Sequence, residues 1–285
     1  VTNTGNLVIT GVTTLVAGSN AITLSQSGND FQDAVIVTSG GNVALRDAGA
    51  IELGASTVTG TYSVTAGGAV TNTGNLVITG VTTLVAGGNA ITLDQAGNNF
   101  QAAVIVTSGG NVQLVDAGAI ILGASTVTGT YAVTATSGNI TADSGALIIT
   151  GASTFKTVAN GSDIELDYAT HAFSNSVTLK AGSGGGGTFG DITFVDSEGA
   201  VDLDSSASAN GDLYIDASTD GAVGGTLSIK ANGVITQNVD LAVTDATTLE
   251  AGSNAITLNR SGNDFQDAVI VTSGGDVALR DTNAI

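Results

Sequence analysis

The residues of this chain that could do chemistry are few, and His171 is its only histidine. A histidine works as a general acid or base, or as a metal ligand, when a nucleophile, a carboxylate or further ligands accompany it. No motif of that kind surrounds His171 in the sequence. We therefore expect His171 to be an exposed polar residue at the edge of a strand.

Acidic residues are the second candidate group, in the stretch VDLDSS. Asp202 and Asp204 alternate with Val201 and Leu203, so in a strand both carboxylates would face outward together. Paired acids bind Ca²⁺ or act as acid and base. Three more acids lie nearby in sequence: Asp212, Asp216 and Asp220. The calcium repeat Gly-Gly-x-Gly-x-Asp is absent, so the sequence favours a solvated face, with Ca²⁺ on the acidic surface as the alternative.

Arginine is the third group. Arg46 and Arg280 occupy equivalent positions of an internal repeat, and another copy of the repeat has Val115 there. A catalytic residue is not expected to recur as part of a repeated pattern. We predict that the chain is not an enzyme and has no catalytic, cofactor-binding or metal-binding residue.

Two threonine patterns, Thr57-Val58-Thr59 and Thr126-Val127-Thr128, are similar to those of ice-binding solenoids. Such proteins need the pattern in line on nearly every coil. Another example in the first copy, Thr2-Asn3-Thr4, is out of phase, which disfavours ice binding.

Glycine and asparagine motifs are assigned to structure. The run GSGGGG at 182–187 lacks the Lys-Ser/Thr of a phosphate loop, and we expect a loop protruding from a corner. Six asparagines that follow a glycine are expected at coil corners, where their amides would bond neighbouring turns; glycan binding is the alternative. They are Asn6, Asn29, Asn42, Asn75, Asn98 and Asn111.

Composition indicates a folded all-β protein. Hydrophobic residues make up 42% and charged residues 11%, and Val, Ile and Thr favour extended backbone. The absence of proline suits hydrogen-bonded ladders. The net charge of −19 disfavours nucleic acid, and no apolar run approaches the ~18 residues of a membrane span.

A long repeat organises the chain. Residues 1–69 and 70–138 are consecutive copies that differ at 12 positions, residues 139–234 are diverged, and 235–285 are a partial third copy. Several of the differences change charge, among them those at Asp33, Arg46 and Glu52, so we expect these positions to face solvent. Val1 is not a natural start, and the chain stops at Ile285 in the middle of a repeat, so we expect one continuous solenoid, 1–285, cut from a longer protein.

Each copy divides into pieces of 23, 24 and 22 residues with about three short apolar runs apiece. Such a pattern predicts a parallel β-solenoid of about three strands per coil of roughly 23 residues, in roughly 12 coils. Alternation predicts that Leu7 and Ile9, or Val43 and Leu45, point inward. Gly and Asn are expected at corners that need positive φ. The alternative is an array of antiparallel sandwiches, since Asn-Gly and Asp-Gly hairpin signals occur in the diverged region.

The phrases AGSNAITL, SGNDFQDAVIVTSGGNVAL, LGASTVTGTYSVTAGGAVT and ANGVITQ resemble the repeat regions of large bacterial surface proteins of the filamentous-haemagglutinin type. That resemblance implies a right-handed parallel β-helix, exported and displayed at the cell surface as a rigid fibre in adhesion, biofilm or contact-dependent interaction. It carries over no functional residue.

Two hypotheses follow. The first is the structural shaft of an extracellular fibre or adhesin that self-associates laterally or end to end, with a host surface, a neighbouring cell or a glycan as partner. The second is a β-helix that binds or cleaves glycans through an acidic face; β-helix polysaccharide lyases and hydrolases resemble this architecture and cluster Asp with Arg or Lys. Neither hypothesis involves nucleic acid or membrane insertion.

Overall fold

The protein is all-β, and in the part of the chain that the structure describes its parallel strands stack into β-solenoid turns of roughly 22 residues. The computed structural model describes residues 1–142, 144–182, 190–199, 201–203, 212–215, 223, 225–238 and 240–283. No helix occurs in these ranges. The predicted solenoid is confirmed, and the antiparallel sandwich is wrong because the strands pair in parallel. The hand of the coil stays a prediction.

Two compact units divide the chain, at 1–136 and 137–285. The single continuous solenoid expected over 1–285 stays a prediction, and each unit is described by itself.

The first unit contains nineteen strands, each of two to five residues. They are β1 (Val8–Ile9), β2 (Thr13–Val16), β3 (Ile22–Leu24), β4 (Asp30–Phe31), β5 (Val35–Ser39), β6 (Val43–Asp47), β7 (Ile51–Leu53), β8 (Ser56–Val58), β9 (Tyr62–Ala66), β10 (Val70–Asn72), β11 (Leu76–Ile78), β12 (Thr82–Val85), β13 (Ile91–Leu93), β14 (Asn99–Phe100), β15 (Val104–Ser108), β16 (Val112–Asp116), β17 (Ile120–Ile121), β18 (Ser125–Val127) and β19 (Tyr131–Ala135).

Three strands make one turn of this unit. Ile22 pairs with Val43, Val43 with Tyr62, Tyr62 with Thr82, and Thr82 with Val104. The step to the next turn varies, since it is shorter from Val43 to Tyr62 than from Thr82 to Val104. The register therefore corrects the predicted division of each copy into three coils. The turns are shorter than predicted, and a copy does not contain a whole number of them.

The core is a column of aliphatic side chains, as the alternation predicts. Val43 and Leu45 are each 2% exposed. Leu7 and Ile9, on the first turn, are half-buried, whereas Leu76 and Ile78, at the same positions of the second copy, are fully buried. Burying such side chains contributes ~1.5–3 kcal/mol each, and a turn obtains this only with neighbours above and below it.

Positions that change charge between the copies are outside the core, as predicted. Asp33 and Arg46 are exposed and Glu52 is half-buried. Their replacements in the second copy are Ala102 and Val115, both half-buried, and Ile121, which is exposed.

Several corner glycines are required by close approach of stacked backbones, and the predicted need for positive φ is wrong for them. Among the described residues no asparagine has a positive φ, and the glycines that do are Gly18, Gly87, Gly138, Gly161, Gly182 and Gly252. A Cβ at Gly41 would lie 2.3 Å from the Ser19 carbonyl oxygen of the turn below. A Cβ at Gly67 would lie 2.1 Å from the Ala48 oxygen. Any side chain there would separate the turns.

The second unit has the same construction, and some of its turns are longer. Ile164 pairs with Ile192, and Ile192 with Leu227, in steps of 28 and 35 residues. Its strands are β20 (Ile140–Thr141), β21 (Leu147–Ile149), β22 (Ser153–Thr157), β23 (Ile164–Leu166), β24 (Ala172–Phe173), β25 (Val177–Lys180), β26 (Ile192–Asp196), β27 (Val201–Leu203), β28 (Asp212–Ile215), β29 (Leu227–Ala231), β30 (Ile235–Gln237), β31 (Ala242–Val243), β32 (Thr247–Glu250), β33 (Ile256–Leu258), β34 (Asp264–Phe265), β35 (Val269–Ser273) and β36 (Val277–Leu279).

Stacking departs from chain order at one place in this unit. The order is β25, β28, β27, β30, so the later strand β28 lies below β27. The hairpin signal Asn160-Gly161 precedes β23, which pairs in parallel on both sides. The glycine run falls almost wholly outside the described residues, at 183–187.

Candidate functional site

The predicted acidic cluster is only partly described. Asp204, Asp216 and Asp220 lie outside the described residues. The backbones at Asp202 and Asp212 pair with each other in register on β27 and β28. In the described part of the chain, no group of three His, Cys, Asp or Glu side chains could hold a metal ion.

The prediction for His171 is wrong, because its side chain is fully buried. The ring Nδ1 accepts a hydrogen bond from the Leu147 N–H at 3.0 Å. The ring Nε2 lies 2.9 Å from the Ala142 carbonyl oxygen. Only the neutral Nε2–H tautomer satisfies both contacts, so the imidazole links two backbone segments and has no open side for a substrate.

His171 occupies a corner that recurs along the chain with asparagine in its place. Asn29 is fully buried, and its Oδ1 accepts hydrogen bonds from the Leu7 N–H at 3.0 Å and the Asn3 Nδ2 at 2.7 Å. Its Nδ2 donates to the Leu24 carbonyl at 3.0 Å. One side chain therefore satisfies groups of its own turn and of the turn before. We call this arrangement the amide corner.

The second copy repeats the amide corner bond for bond. Asn98 is fully buried and accepts from the Leu76 N–H and the Asn72 Nδ2, each at 2.9 Å. Its Nδ2 donates to the Leu93 carbonyl at 3.2 Å.

The third copy has the amide corner at Asn263, also fully buried. It accepts from the Leu241 N–H at 3.1 Å and exchanges two bonds with Gln237 at 2.7 and 2.8 Å. The predicted turn-to-turn role of asparagine is thus confirmed for the copies of this corner. Asn42 and Asn111 also bond the next turn, each accepting a backbone N–H at 3.0 Å from Thr61 and Thr130.

A carboxylate completes each amide corner from the following turn, and it is buried at every corner except the last, where Asp281 is half-buried. Asp47 accepts from the Phe31 N–H at 2.8 Å and the Gly49 N–H at 2.7 Å. Asp116 accepts from the Phe100 N–H at 2.7 Å and the Gly118 N–H at 2.6 Å. The related carboxylates at the other two corners are Asp196, with Phe173, and Asp281, with Phe265.

Burial alters the acidity of these groups. Desolvation raises the pKa of Asp116 and of Asp196 above the ordinary value, and the backbone N–H bonds oppose the rise. Desolvation lowers the pKa of His171, opposed by the Ala142 carbonyl and the charge of Asp167. The hydrogen bonds of His171 go to backbone groups of Leu147 and Ala142, and those of Asp196 go to the N–H groups of Phe173 and Glu198, which indicates a structural role.

Sequence comparison could have found the buried histidine. His171-Ala172-Phe173 aligns with Asn29-Asp30-Phe31, and the phenylalanines of all four corners are buried. The signal is a single Phe two residues after a polar residue, which is weak when met alone.

Four other inward hydroxyls have no hydrogen-bond partner in the described part of the chain. They share one position, at the first residue of a strand, and are at most 9% exposed. They are Thr13, Thr82, Ser153 and Thr247.

A shallow pocket of about 310 Å³ lies beside the first amide corner. Asp30, Asp33 and Glu52 line it. Each carboxylate already has a partner: Asp30 accepts from Gln32, Asp33 from the Ala34 N–H, and Glu52 from Thr73. The second copy replaces the three acids by asparagine, alanine and isoleucine, so the charged pocket is not a property of the repeat.

The exposed threonine patterns do not form a line. Thr57 stacks on Val77, and Val77 on Asn99, in the sheet of β8, β11 and β14. Thr126 lies on β18, which is not part of that sheet. Within the described residues there is no helix long and apolar enough to cross a bilayer.

Comparison with known proteins identifies the repeat. A model for repeats of unknown function (DUF5649) matches residues 1–38, 40–107, 109–180 and 190–272. Three of these matches end at equivalent positions: Thr38, Thr107 and Thr272. No curated protein and no solved structure matches the chain. The chain, matched over most of its length, belongs to the family of repeats of unknown function named DUF5649.

Proposed function

We propose that this chain is a structural shaft of an extracellular or cell-surface fibre or adhesin. The observation that carries the proposal is the amide corner, which recurs in three copies and, with histidine, in the diverged region. Its buried side chains are used in bonding one turn to the next. A protein whose buried polar groups hydrogen-bond one turn to the next is suited to holding other parts of a fibre or adhesin at a distance.

The exposed surface of the copies supports the same role. Outward positions differ between copies with little restraint, as Arg46 and Val115 show. The net charge of −19 keeps long filaments apart from one another in solution at low salt. The resemblance to filamentous-haemagglutinin-type repeats points to the same setting, outside the cell, with self-association or a host or neighbouring-cell surface as partner.

Two measurements test the proposal. Antibody labelling of intact source cells should detect the chain at the surface, and electron microscopy of the native protein should show thin rods or filaments. Labelling only after permeabilisation, or compact particles in the images, would refute the shaft.

Glycan binding is the second candidate, and the pocket with Asp30, Asp33 and Glu52 favours it. Asp33→Ala with Glu52→Ile introduces the residues of the second copy, so the fold is retained. If the pocket binds glycans, a glycan-array signal of the native protein should fall at least tenfold in this variant. An unchanged signal, or no signal from either protein, would reject this candidate.

A further inference from the structure

We infer that each 69-residue copy is rotated about the solenoid axis by one face relative to the copy before it. Equivalent exposed side chains of successive copies therefore lie on the three faces in turn. This holds for the molecule whether or not it serves as a shaft.

The strand count is the first observation. The second copy, 70–138, contains ten strands, β10–β19. The first copy has the nine strands β1–β9 and a bridge from Thr2 to Thr23 where the second copy has β10. Most strands of this unit pair with the third strand after them, as β3 does with β6, β6 with β9, β9 with β12, and β10 with β13. An exception is β5, which pairs with β7 at Val35 and Leu53 and whose next residue, Gly40, bridges to Val58 of β8. Ten strands at three per turn make three and one-third turns, so equivalent strands differ by one face.

Sheet membership agrees with the rotation, although the pairing of β5 with β7 also joins β2 to the sheet of β13. Ile22, on β3, lies in the five-stranded sheet of β3, β6, β9, β12 and β15. Ile91, its equivalent on β13, lies instead in the sheet with β10, β16 and β19. Thr82 joins the sheet of Ile22, although its own equivalent, Thr13 on β2, lies outside that five-stranded sheet.

The local contacts do not change with the rotation. The amide corners at Asn29 and Asn98 make the same three kinds of bond, and Asp47 and Asp116 make the same two. The neighbours of a strand are the same in each copy, including the irregular pairing of Val35 with Leu53, which recurs as Val104 with Leu122. A copy therefore fits equally well on any of the three faces.

This arrangement decides what kind of partner the repeat surface fits. Thr38 and Thr107 are equivalent, identical and exposed, as are Asn42 and Asn111. With turns ~4.8 Å apart, equivalents are ~16 Å apart along the axis and return to the same face only after three copies, ~48 Å. The surface fits several small-footprint partners placed around the axis. It does not fit one flat partner that lies along a single face.

Spin labels test the inference, because the chain has no cysteine to interfere. Thr38→Cys with Thr107→Cys, labelled with nitroxides in the full-length protein, places probes at equivalent positions. The two labels are ~16 Å apart along the solenoid axis. Because they lie on different faces, they are also separated across the axis by about the ~17 Å that a five-residue strand spans. We expect a distance of ~24 Å between the labels. If a copy made three whole turns, the labels would share a face at ~14 Å, which would overturn the inference.

A longer variant sharpens the test. Two further copies of 1–69 inserted after residue 69 give four copies in tandem, with labels at Thr38 of the first and at the equivalent threonine of the fourth. We expect ~48 Å, about twice the one-copy distance, because the face is the same again. A ratio near three would contradict the inference. A disulfide serves as the control for folding: Ser63→Cys and Thr83→Cys, whose residues stack in register, should form one in both the parent chain and the longer variant. If the longer variant misfolds, the label distance in the parent chain still tests the inference.

Discussion

Replacement of Asn98 by alanine removes one complete amide corner from the middle of the first unit. Asn98 is fully buried, and its loss leaves the Leu76 N–H, the Leu93 carbonyl and the Asn72 amide without their partner. A buried polar group left unpaired costs ~1–3 kcal/mol. Because Asn72 keeps a bond to the Gly74 carbonyl at 3.0 Å, we expect a total loss of about 3–5 kcal/mol.

The matched control is Asn111→Ala in the same copy. Asn111 also accepts a backbone N–H from the next turn, that of Thr130, but at an exposed corner where water can replace it. We expect a loss within ~1 kcal/mol. Asn98→His should lie between the two, because histidine fills the equivalent corner at His171.

Urea unfolding and native-state hydrogen exchange together measure these losses. Exchange is needed because a repeat array can open locally. The Leu76 N–H should lose at least ~100-fold of its protection in Asn98→Ala, since ~1.4 kcal/mol corresponds to a factor of ten. If Asn98→Ala and Asn111→Ala differ by less than ~0.5 kcal/mol, the range of ordinary surface substitutions, the amide corner is not an important source of stability.

Three further predictions concern single positions. The fold holds His171 neutral with a lowered pKa, while the unfolded chain takes up a proton at this residue near a pH of ~6.5. The free energy of unfolding should therefore fall as the pH falls through that value, and in His171→Asn the free energies measured in urea at pH 8 and pH 5 should differ by less than in the parent. An equal difference in both proteins would contradict the buried neutral ring. Gly41→Ala should lower the free energy of unfolding by ~2 kcal/mol or more, because its Cβ would lie 2.3 Å from the Ser19 oxygen. The control Gly11→Ala, whose Cβ would have no atom within 4 Å, should lower it by less than ~0.5 kcal/mol. Similar losses in the two variants would show that the turns can separate. Thr82→Val keeps the shape and removes a buried hydroxyl without a partner, so calorimetry should find it unchanged or up to ~1 kcal/mol more stable, and a clear loss would point to a hydrogen bond of the hydroxyl.

The strand pattern could be predicted from the sequence because side chains alternate in a strand. The inward positions of Val43 and Leu45 follow from that period of two, and so does the outward position of Arg46. Parallel stacking followed from the repeat, since a short coil cannot bury its apolar row alone.

The corners could not be predicted, because their chemistry depends on residues from other turns. Asn29 follows a glycine, a pattern typical of exposed turns, yet its amide bonds reach Leu7 and Asn3. His171 has no counterpart of that glycine, so its place in the series is visible only once Phe173 is aligned with Phe31. The predicted coil lengths are wrong because they were obtained by dividing each copy into segments of similar sequence, whereas the true lengths follow from which strands pair.

A repeat of ten strands in turns of three also limits which amino acids the interior accepts. A given inward side chain stands on one wall in the first copy and on the neighbouring wall in the second, as Ile22 and Ile91 do. No wall can alone be adapted to bulky side chains or to proline, because the next copy would place the same residues on another wall. The absence of tryptophan and proline from all 285 residues fits such interchangeable walls.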